Sequence, residues 1–439
     1  MNKTDVIEAV ASKTGMTKSD AGKVVGGVFD LMAEALQGGK DVRIYGFGTF
    51  RVVRRKASTG RNPKTGAKLR IPAARQVRFR ATPTLKAALD VGAGPGRKPA
   101  RRGQRKMATT TASGPYKGLD LGTSRIVLAT MQGERPKYVE QLNAFVSLPY
   151  AKMTEAMLDR EKILHKVEKS RILAYGNRAD EFANMLGGDT RRPMQTGLLN
   201  PREPKSIEMI ELALSKIVGR AKAGEKICFS VPSAPVGQES DLVYHELTVT
   251  QMLEDLGYEV SSVNEGLAIV YAEMKNEDFT GIGISFGGGM CNVCLAYLAL
   301  PAISFCTVRA GDHIDHSAAS VTGETPTTVR LHKESDFSLS GKQTDNLGHA
   351  LAIYYTDMIK EVARGLERTL NATRNLPRFK KPVPVVVSGG TAKVAGFKAA
   401  LKKAIDKVDL PVEIGDIRVA QDPMNATAKG TLIAAMLNM

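Results

Sequence analysis

Tryptophan is absent from the 439-residue sequence, and only 4 cysteines and 6 histidines are present. Four cysteines in a chain of this length do not make the disulfide framework of a small secreted domain. Cys291 and Cys294 form one Cys-x-x-Cys pair with no second pair at zinc spacing, so buried apolar thiols are the simpler interpretation and a metal or redox role is the alternative. His313 and His316 are spaced like metal ligands on a helix, although an ordinary helix explains that spacing more simply.

Long apolar runs are also missing, since no stretch approaches the roughly 18–20 residues that a membrane span requires. The first five residues, Met-Asn-Lys-Thr-Asp, do not begin an apolar signal region, so we expect a cytoplasmic protein. Hydrophobic residues make up 43% of the chain, which indicates a folded protein. The length allows roughly two to four domains, each able to bury its own core.

Positive charge is unevenly distributed along the chain. Residues 1–106 contain 24 Lys and Arg against 7 Asp and Glu, whereas residues 107–439 contain 38 of each kind. The whole net charge of +17 therefore lies in the first quarter. This asymmetry predicts a polyanion-binding N-terminal unit joined to an electrically neutral unit with another task.

Two helical patterns and a basic extended segment occupy the first ninety residues. Apolar residues recur at helical spacing over residues 3–13 and 18–36, and Thr4 and Thr17 are the predicted N-caps. From Arg51 to Arg80 there are eleven basic residues and no acidic one, with two extended runs around a turn. A β-ribbon this basic cannot pack against a core, so it should project into solvent.

The motifs Gly46-Phe47-Gly48-Thr49-Phe50, Gly60-Arg61-Asn62-Pro63 and Leu85-Lys86-Ala87-Ala88-Leu89 resemble the HU/IHF family of bacterial nucleoid proteins. The resemblance covers residues 1–91. It implies an α+β domain with a β-ribbon arm, which forms an intertwined dimer and lays its two arms in the minor groove of double-stranded DNA.

The same resemblance implies which residues contact DNA. Pro63 would wedge between base steps at the arm tip, beside Arg61 and Asn62. Basic residues along the arm and the saddle would contact phosphates, namely Lys3, Arg55, Lys64, Arg70, Arg75, Arg78, Arg80 and Lys86. Such contacts predict binding that depends steeply on salt and little on sequence.

Residues 92–114 join the two chemically different parts. The first half of this segment is rich in glycine, proline and basic residues, and the second half is small and polar, so we predict a flexible basic linker. Met107 stands where a separate chain could begin, which leaves open whether two adjacent genes were fused naturally or artificially.

The segment 115–439 carries three glycine turns, each after an apolar strand. The first is Gly118-Leu119-Asp120-Leu121-Gly122-Thr123-Ser124. Here Gly122 allows close backbone approach, and Thr123 and Ser124 offer hydroxyls to phosphate. Asp120 offers a carboxylate that would hold Mg²⁺ through a water molecule. Alone, this heptad fits an ordinary hairpin turn equally well.

Two later segments repeat the pattern of an apolar strand followed by a glycine turn. Residues 281–286 run into Gly287-Gly288-Gly289, and residues 383–387 run into Ser388-Gly389-Gly390-Thr391. Strands that alternate with helices indicate α/β layers. Two glycine hairpins facing each other would clamp the β- and γ-phosphates, and the third turn would border the adenine.

Further motifs in this part resemble the actin-like ATPase superfamily and, within it, bacterial actin homologues of the rod-shape and magnetosome type. They are Arg192-Pro193-Met194, Asn264-Glu265-Gly266, Ala310-Gly311-Asp312, Lys333-Glu334 and Asp422-Pro423-Met424, in the order of that family. The resemblance implies a duplicated ribonuclease H-like α/β fold that binds ATP and Mg²⁺ in an interdomain cleft and polymerises.

Carried over residue by residue, the resemblance implies specific roles. Asp120 matches the magnesium-organising aspartate, and Glu265 matches the glutamate that orients the attacking water. Nucleotide contacts would come from Gly118, Gly122, Thr123, Ser124, Gly287, Gly288, Gly289, Lys333, Glu334, Gly389, Gly390 and Thr391.

One departure from the family concerns the second glycine turn. The family begins this turn with an aspartate and follows the glycines with polar residues, whereas this chain has Ser285 and then Met290-Cys291-Asn292. Backbone N–H groups can still hold phosphate, so we expect nucleotide binding to survive better than hydrolysis.

These observations predict a multidomain DNA-binding, actin-like cytoskeletal protein that associates with the nucleoid. Three alternatives stay open. A sugar kinase would need an aspartate in the second turn, and Ser285 argues against it. A non-polymerising nucleotide switch or adaptor on DNA would need no filament. In a third case, the HU-like part is incidental to filament formation.

Overall fold

The computed structural model describes residues 2–14, 17–39, 42–44, 48–55, 58–61, 68–71, 74–81, 116–179, 181–182, 190–233 and 239–437. The chain divides into two compact units, Met1–Ala108 and Thr109–Met439. We refer to them as the N-terminal unit and the C-terminal unit. The predicted turn at residues 62–66 and the linker lie outside the described residues.

The N-terminal unit pairs two helices with a β-ribbon. Its elements are α1 (Lys3–Thr14), α2 (Lys18–Gln37), β1 (Val42–Ile44), β2 (Gly48–Arg55), β3 (Ser58–Arg61), β4 (Lys68–Ile71) and β5 (Ala74–Ala81). The side chain of Thr17 caps α2 by accepting a hydrogen bond from the Asp20 N–H, as predicted. The predicted cap at Thr4 is wrong, because Asn2 Oδ1 accepts from the N–H groups of Thr4 and Asp5 and so caps α1 two residues earlier.

The ribbon keeps one register along its length. β2 pairs with β5 from Gly48↔Ala81 to Arg55↔Ala74, and β3 pairs with β4 from Ser58↔Ile71 to Arg61↔Lys68. Both pairings are antiparallel and follow the same alignment, so the two extended runs predicted from the sequence pair with each other. β1 adds a third strand beside β2.

The C-terminal unit contains fifteen of the described strands and nine of the described helices. The strands are β6 (Tyr116–Leu121), β7 (Arg125–Gln132), β8 (Arg135–Leu142), β9 (Phe145–Pro149), β10 (Leu164–Glu168), β11 (Arg171–Tyr175), β12 (Met194–Gln195), β13 (Leu198–Leu199), β14 (Lys226–Val231), β15 (Glu259–Asn264), β16 (Gly281–Phe286), β17 (Cys291–Tyr297), β18 (Leu300–Thr307), β19 (Val383–Ser388) and β20 (Ile414–Val419). The helices are α3 (Lys152–Arg160), α4 (Ser206–Ile217), α5 (Glu239–Asp255), α6 (Glu265–Glu273), α7 (Gly311–Thr322), α8 (Pro326–Ser335), α9 (Asn346–Ala372), α10 (Phe397–Ile405) and α11 (Ala426–Leu437).

Two five-stranded sheets repeat the same topology. Their strand orders are β15-β14-β6-β7-β8 and β18-β17-β16-β19-β20. In each sheet, three consecutive strands form an antiparallel meander and two later strands join in parallel beside the first strand. The duplicated α/β fold expected from the sequence is therefore present. A smaller sheet, β10-β11-β9, is inserted between β8 and α4.

The two halves are joined by helices that cross from one sheet to the other. Helix α6 follows the last strand of the first sheet but packs on β16 and β17 of the second. Helix α11 follows the last strand of the second sheet but packs on β6 and β14 of the first, and the two helices pack on each other. The first and second glycine turns thus start from strands, β6 and β16, that are held by one central layer.

Glycines permit this close packing. A Cβ at Gly430 of α11 would collide with the backbone carbonyl of Ala268 in α6. A Cβ at Gly118 of β6 would collide with the backbone of α11 at Leu432 and Ala428, and one at Gly283 would collide with the Gly266 carbonyl. Backbone atoms cannot swing aside as side-chain ends do, so larger residues must push the layers apart.

We expect Gly430→Ala to lower the free energy of unfolding by about 3 kcal/mol, because the added methyl group overpacks the contact between α6 and α11. Equilibrium unfolding in urea measures this change. Gly341→Ala is the matched control, since nothing lies within 4 Å of a Cβ built there. Equal midpoints for both variants would contradict the packing described for the central layer.

The sequence pattern predicts helices over Val249–Gly257 and Val394–Val408, and the structure moves the start of both. Helix α5 begins at Glu239, ten residues before Val249. Its first turns expose Val243 and Leu247, so they lack the buried apolar stripe from which periodicity predicts a helix. Helix α10 begins only at Phe397, because Gly396 has a φ of 85° and interrupts the helix that the pattern predicts from Val394. In the described part of the chain, no helix combines the length and the apolarity that a membrane-spanning segment needs.

Candidate functional site

The first and second glycine turns meet face to face. A Cβ at Gly288 would collide with Ser124 Oγ, and a Cβ at Gly289 would collide with Thr123 Oγ1. Thr123 Oγ1 also accepts a hydrogen bond from the Gly197 N–H at 2.8 Å. The sequence therefore needs glycine at these two positions because the backbones of the turns approach each other, which brings hydroxyls and N–H groups from both halves to one seam.

The third turn is tied to the second. Thr391 Oγ1 donates to the Gly287 carbonyl at 3.0 Å, and the Gly311 N–H donates to the same carbonyl at 3.1 Å. Gly389 has a φ of 95°, a conformation that favours glycine, and its N–H donates to the Pro423 carbonyl at 2.8 Å. All three turns thus border one cleft between the two sheets.

Two acidic side chains lie beside this seam. Ser230 Oγ donates to Asp120 Oδ1 at 2.8 Å, and Asn292 Nδ2 donates to Glu265 Oε2 at 3.0 Å. Glu265 is the first residue of α6, whose N-cap is the side chain of Asn264. The helix start fixes the Glu265 backbone, and Asn292 fixes its carboxyl group.

Burial dominates the electrostatics of both carboxyls. It raises the pKa of Asp120 to about 6, against the opposing hydrogen bond from Ser230. Burial and then the neighbouring Asp120 charge raise the pKa of Glu265 to about 8, while hydrogen bonds from Ser285 and Asn292 oppose the shift. The two buried carboxyls resist simultaneous ionisation, because each negative charge disfavours the other. A cation bound near them would favour the ionised forms.

The residues at this seam fit magnesium and polyphosphate in part. Asp120 supplies an oxygen donor of the kind that Mg²⁺ prefers, and the glycine turns supply backbone donors. Ser285 stands where a second carboxylate would help, opposite Asn292 in the β16–β17 pairing. Among the described residues, no three His, Cys, Asp or Glu side chains cluster as ligands for a metal bound by protein alone.

Arg192 joins the two halves across the seam. Its Nη1 lies 3.1 Å from Ser124 Oγ and 3.2 Å from each carboxylate oxygen of Asp312. Asp312 belongs to α7 of the second half, and its N–H donates to the Gly288 carbonyl at 2.8 Å. The Arg-Pro-Met motif contains Arg192, but the sequence does not show which residue its side chain would meet.

Three residues predicted to contact the nucleotide lie in different surroundings from the glycine turns. Gly118 is buried against α11, so its small size serves packing. Lys333 is buried with its Nζ 2.6 Å from Asp315 Oδ1 and 3.3 Å from the Gly311 carbonyl, so it braces α8 against α7. Glu334, the next residue, is exposed on α8. Contact of these three residues with a nucleotide stays a prediction from the resemblance.

The cysteines and the paired histidines have ordinary surroundings. Cys291 and Cys294 are buried free thiols on β17, and burial raises the pKa of Cys294 to about 12. His313 and His316 lie within α7, and His313 contacts the ring of Tyr354 edge-on.

The ribbon of the N-terminal unit places arginines opposite each other. Arg51 of β2 lies directly opposite Arg78 of β5, and both are exposed. This pairing places two positively charged residues side by side on the ribbon. Arg75 is also exposed, and its Nη1 lies 3.5 Å from the Gln37 carbonyl. The sequence alone does not show which residues of β2 and β5 lie opposite each other.

Other predicted DNA contacts are placed only in part. The backbones of Arg55, Arg61, Arg70 and Arg80 lie on β2, β3, β4 and β5, and Lys3 opens α1. Asn62, Pro63, Lys64 and Lys86 lie outside the described residues.

The folds and the cleft define the class of this protein: an HU-like domain joined to an actin-like domain with two related halves around a cleft. The chain belongs to the Volactin family, whose model matches residues 116–435. Its residues 1–90 match the family of bacterial DNA-binding proteins.

Individual relatives agree with this division. The DNA-binding protein HRL18 of Rhizobium leguminosarum is 48% identical over 90 residues, which are 20% of this chain and 99% of that protein. The MamK double helical filament is 18% identical with a TM-score of 0.56, covering 73% of this chain and 98% of that chain. MreB 5 of Spiroplasma citri bound to AMPPNP is 15% identical with a TM-score of 0.54, covering 73% and 96%. At these identities the two structures show the fold alone.

Proposed function

We propose that the protein binds duplex DNA through its N-terminal unit and ATP with Mg²⁺ through the cleft of its C-terminal unit, and that the C-terminal unit polymerises. Filaments that carry one DNA-binding unit per subunit would organise, move or segregate DNA in the cytoplasm. The observation that carries the proposal is the meeting of the glycine turns in a protein whose entire excess charge lies in a separate unit.

The DNA half of the proposal rests on charge and on the relatives. HRL18 is named a DNA-binding protein, and this chain spans 99% of its length at 48% identity. The opposed arginines of the ribbon favour phosphate contacts that do not read sequence. Non-specific binding by one unit is weak, but many units on one filament would act together.

Apolar surface on the same unit supports a dimer. Large apolar side chains of α2 and β5 are exposed by between 45% and 68%, namely Val28, Phe29, Leu31, Val77 and Phe79. Such residues are costly to leave in water when clustered on a small unit. A second copy of the unit would cover them and would present two arms to one duplex.

The nucleotide half rests on the cleft. Backbone N–H groups of the second turn, with the hydroxyls of Thr123 and Ser124, would hold phosphate oxygens, and Gly389, Gly390 and Thr391 would border the nucleoside. A magnesium ion near Asp120 would neutralise phosphate charge when bound. Glu265, oriented by Asn292, would position a water molecule or accept its proton.

We expect ATP hydrolysis, where measurable, to rise about tenfold between pH 7 and pH 9, because a carboxyl with a pKa of about 8 is mostly protonated at pH 7 and cannot accept a proton there. Phosphate release at saturating ATP measures the profile. Glu265→Gln should be slow and independent of pH. A flat profile in the unchanged protein would remove Glu265 from the role of base.

The raised pKa of Glu265 and the serine at position 285 favour a second candidate function, a nucleotide switch that binds ATP, hydrolyses it slowly and does not polymerise. Electron microscopy separates the two functions. With ATP, the full chain and a chain of residues 109–439 should both form filaments. A protein that binds ATP but stays dispersed at all concentrations would support the switch and contradict the filament.

A further inference from the structure

We propose that Arg192 is a phosphate-sensing residue of the cleft, which exchanges Asp312 for the terminal phosphate of a nucleoside triphosphate and so distinguishes triphosphate from diphosphate. This inference rests on the proposed nucleotide function. It adds a residue to which neither the sequence motifs nor the family resemblance gave a role.

The position of Arg192 is the first argument. Its guanidinium bridges Ser124 of the first turn and Asp312 at the start of α7. The same two side chains, through Ser124 Oγ and Asp312 Oδ1, are the nearest groups to a Cβ at Gly288. Arg192 therefore reaches the middle of the second glycine turn, at the seam where the two turns face each other.

The chemistry of the contacts is the second argument. One nitrogen, Nη1, makes all three of the contacts, to one hydroxyl and two carboxylate oxygens at 3.1–3.2 Å. A guanidinium offers five donors in a planar fork that matches two phosphate oxygens. The Arg192 and Asp312 side chains retain 25% and 27% of their surface exposed, so their ion pair is partly screened by solvent. A phosphate group with more charge and better geometry would compete with Asp312 successfully.

The charge balance is the third argument. Asp312 places a carboxylate beside the Gly288 backbone, where it would repel a phosphate unless a cation offsets it. Arg192 offsets that charge from the other half of the fold. The charges of Arg192 and Asp312 thereby offset each other before nucleotide arrives, and the guanidinium becomes available once phosphate displaces the carboxylate.

A purely structural latch predicts something different. If Arg192 only ties the halves together, removing either partner weakens the same bridge, and both variants lose affinity for all nucleotides alike. If Arg192 senses phosphate, its partner Asp312 is a competitor, and the two variants act in opposite directions. The signs of the two effects therefore decide between sensing and bridging.

The experiment measures equilibrium affinity of the full chain for ADP and for a non-hydrolysable ATP analogue, both with Mg²⁺. We expect Arg192→Met to weaken the triphosphate about 10- to 100-fold and ADP less than about threefold, as the loss of a charged hydrogen-bond donor predicts. Arg192→Lys should restore part of the triphosphate affinity. Asp312→Asn should strengthen the triphosphate, because it frees the guanidinium and removes a negative charge.

Arg125→Met is the matched control. Arg125 follows Ser124 directly, but its Nη1 pairs with Glu140 of β8 at 3.1 Å, away from the seam. It should leave the ratio of the two affinities unchanged. Circular dichroism shows whether Arg192→Met is folded. If it is not, the affinities of Arg192→Lys and Asp312→Asn decide the test.

The outcomes are separable. Equal losses for both nucleotides in the Arg192 variants, or unchanged or weaker triphosphate binding in Asp312→Asn, would overturn phosphate sensing and leave nucleotide binding intact. If the unchanged protein binds neither ADP nor the analogue, the proposed function itself fails.

Discussion

Removal of residues 1–108 should lower the affinity for duplex DNA by at least about 100-fold at low salt, because phosphate neutralisation supplies essentially all of non-specific binding. The remaining segment is electrically neutral, since residues 107–439 carry 38 basic and 38 acidic residues. The cut follows the boundary between the two compact units, so the C-terminal unit keeps its sheets and core. Titration of a fluorescent duplex at several salt concentrations measures both affinity and salt dependence.

Single substitutions refine this expectation. Arg78→Gln should reduce the slope of log affinity against log salt by about 1, as expected for one lost phosphate contact. Lys23→Gln is the control, because Lys23 in the same unit already pairs with Asp20 at 3.2 Å. DNA affinity retained by residues 109–439, or an Arg78 variant with the unchanged slope, would contradict the placement of DNA binding on the ribbon.

Gly289→Ala should abolish measurable nucleotide binding, a loss of about 100-fold or more, because separated turns no longer present their donors to one ligand. The added methyl group collides with Thr123 Oγ1 and lies 2.7 Å from the Gly197 nitrogen, which is backbone and cannot rotate away. The turns must move apart to accept it. Equilibrium titration with ADP and with a non-hydrolysable ATP analogue measures the loss.

The controls separate binding from stability. Gly341→Ala should keep full nucleotide affinity, since nothing lies within 4 Å of its Cβ. Gly289→Ala should stay folded and should unfold in urea at a higher midpoint than Gly430→Ala, because its nearest clash is with a side-chain oxygen, whereas the nearest clash at Gly430 is with a backbone carbonyl. Full affinity in Gly289→Ala would mean that nucleotide does not bind between the first and second turns.

Sequence reasoning succeeds in this protein where structure is local. The strand, turn and strand around Gly122 and the strand before Gly287 follow from short apolar runs that end in glycine, and the structure has strands at residues 116–121 and 281–286. The ribbon of the N-terminal unit follows from alternation and from a basic run that cannot enter a core. Thr17 caps α2 because capping depends on residues only three positions apart.

It fails where a residue's role depends on a partner far along the chain. Gly118 looks like part of a phosphate turn, but α11, more than three hundred residues later, covers it. The resemblance predicts that Lys333 contacts the nucleoside, but the sequence does not show that its ammonium group forms a buried ion pair with Asp315. Arg192 and Asp312 are separated by 120 residues and meet only because the halves fold over one seam. Spacing in a sequence does not encode such encounters.

The same limit applies to chemistry. The serine at position 285 is visible in the sequence and suggests weak hydrolysis, but the raised pKa of Glu265 arises from burial and from Asp120, which only the fold brings near it. Asn292 likewise gains its role from two hydrogen bonds, one to Glu265 and one from the Ser233 N–H.

The most direct test of the central claim is sedimentation of duplex DNA with the protein in the presence of ATP and Mg²⁺. We predict that the full chain carries DNA into the pellet only with nucleotide, that residues 109–439 pellet without DNA, and that rising salt releases the DNA while filaments persist. Sedimentation of DNA that is equal with and without ATP, or the absence of any pellet from both chains, would contradict a protein that couples a DNA-binding unit to a nucleotide-dependent filament.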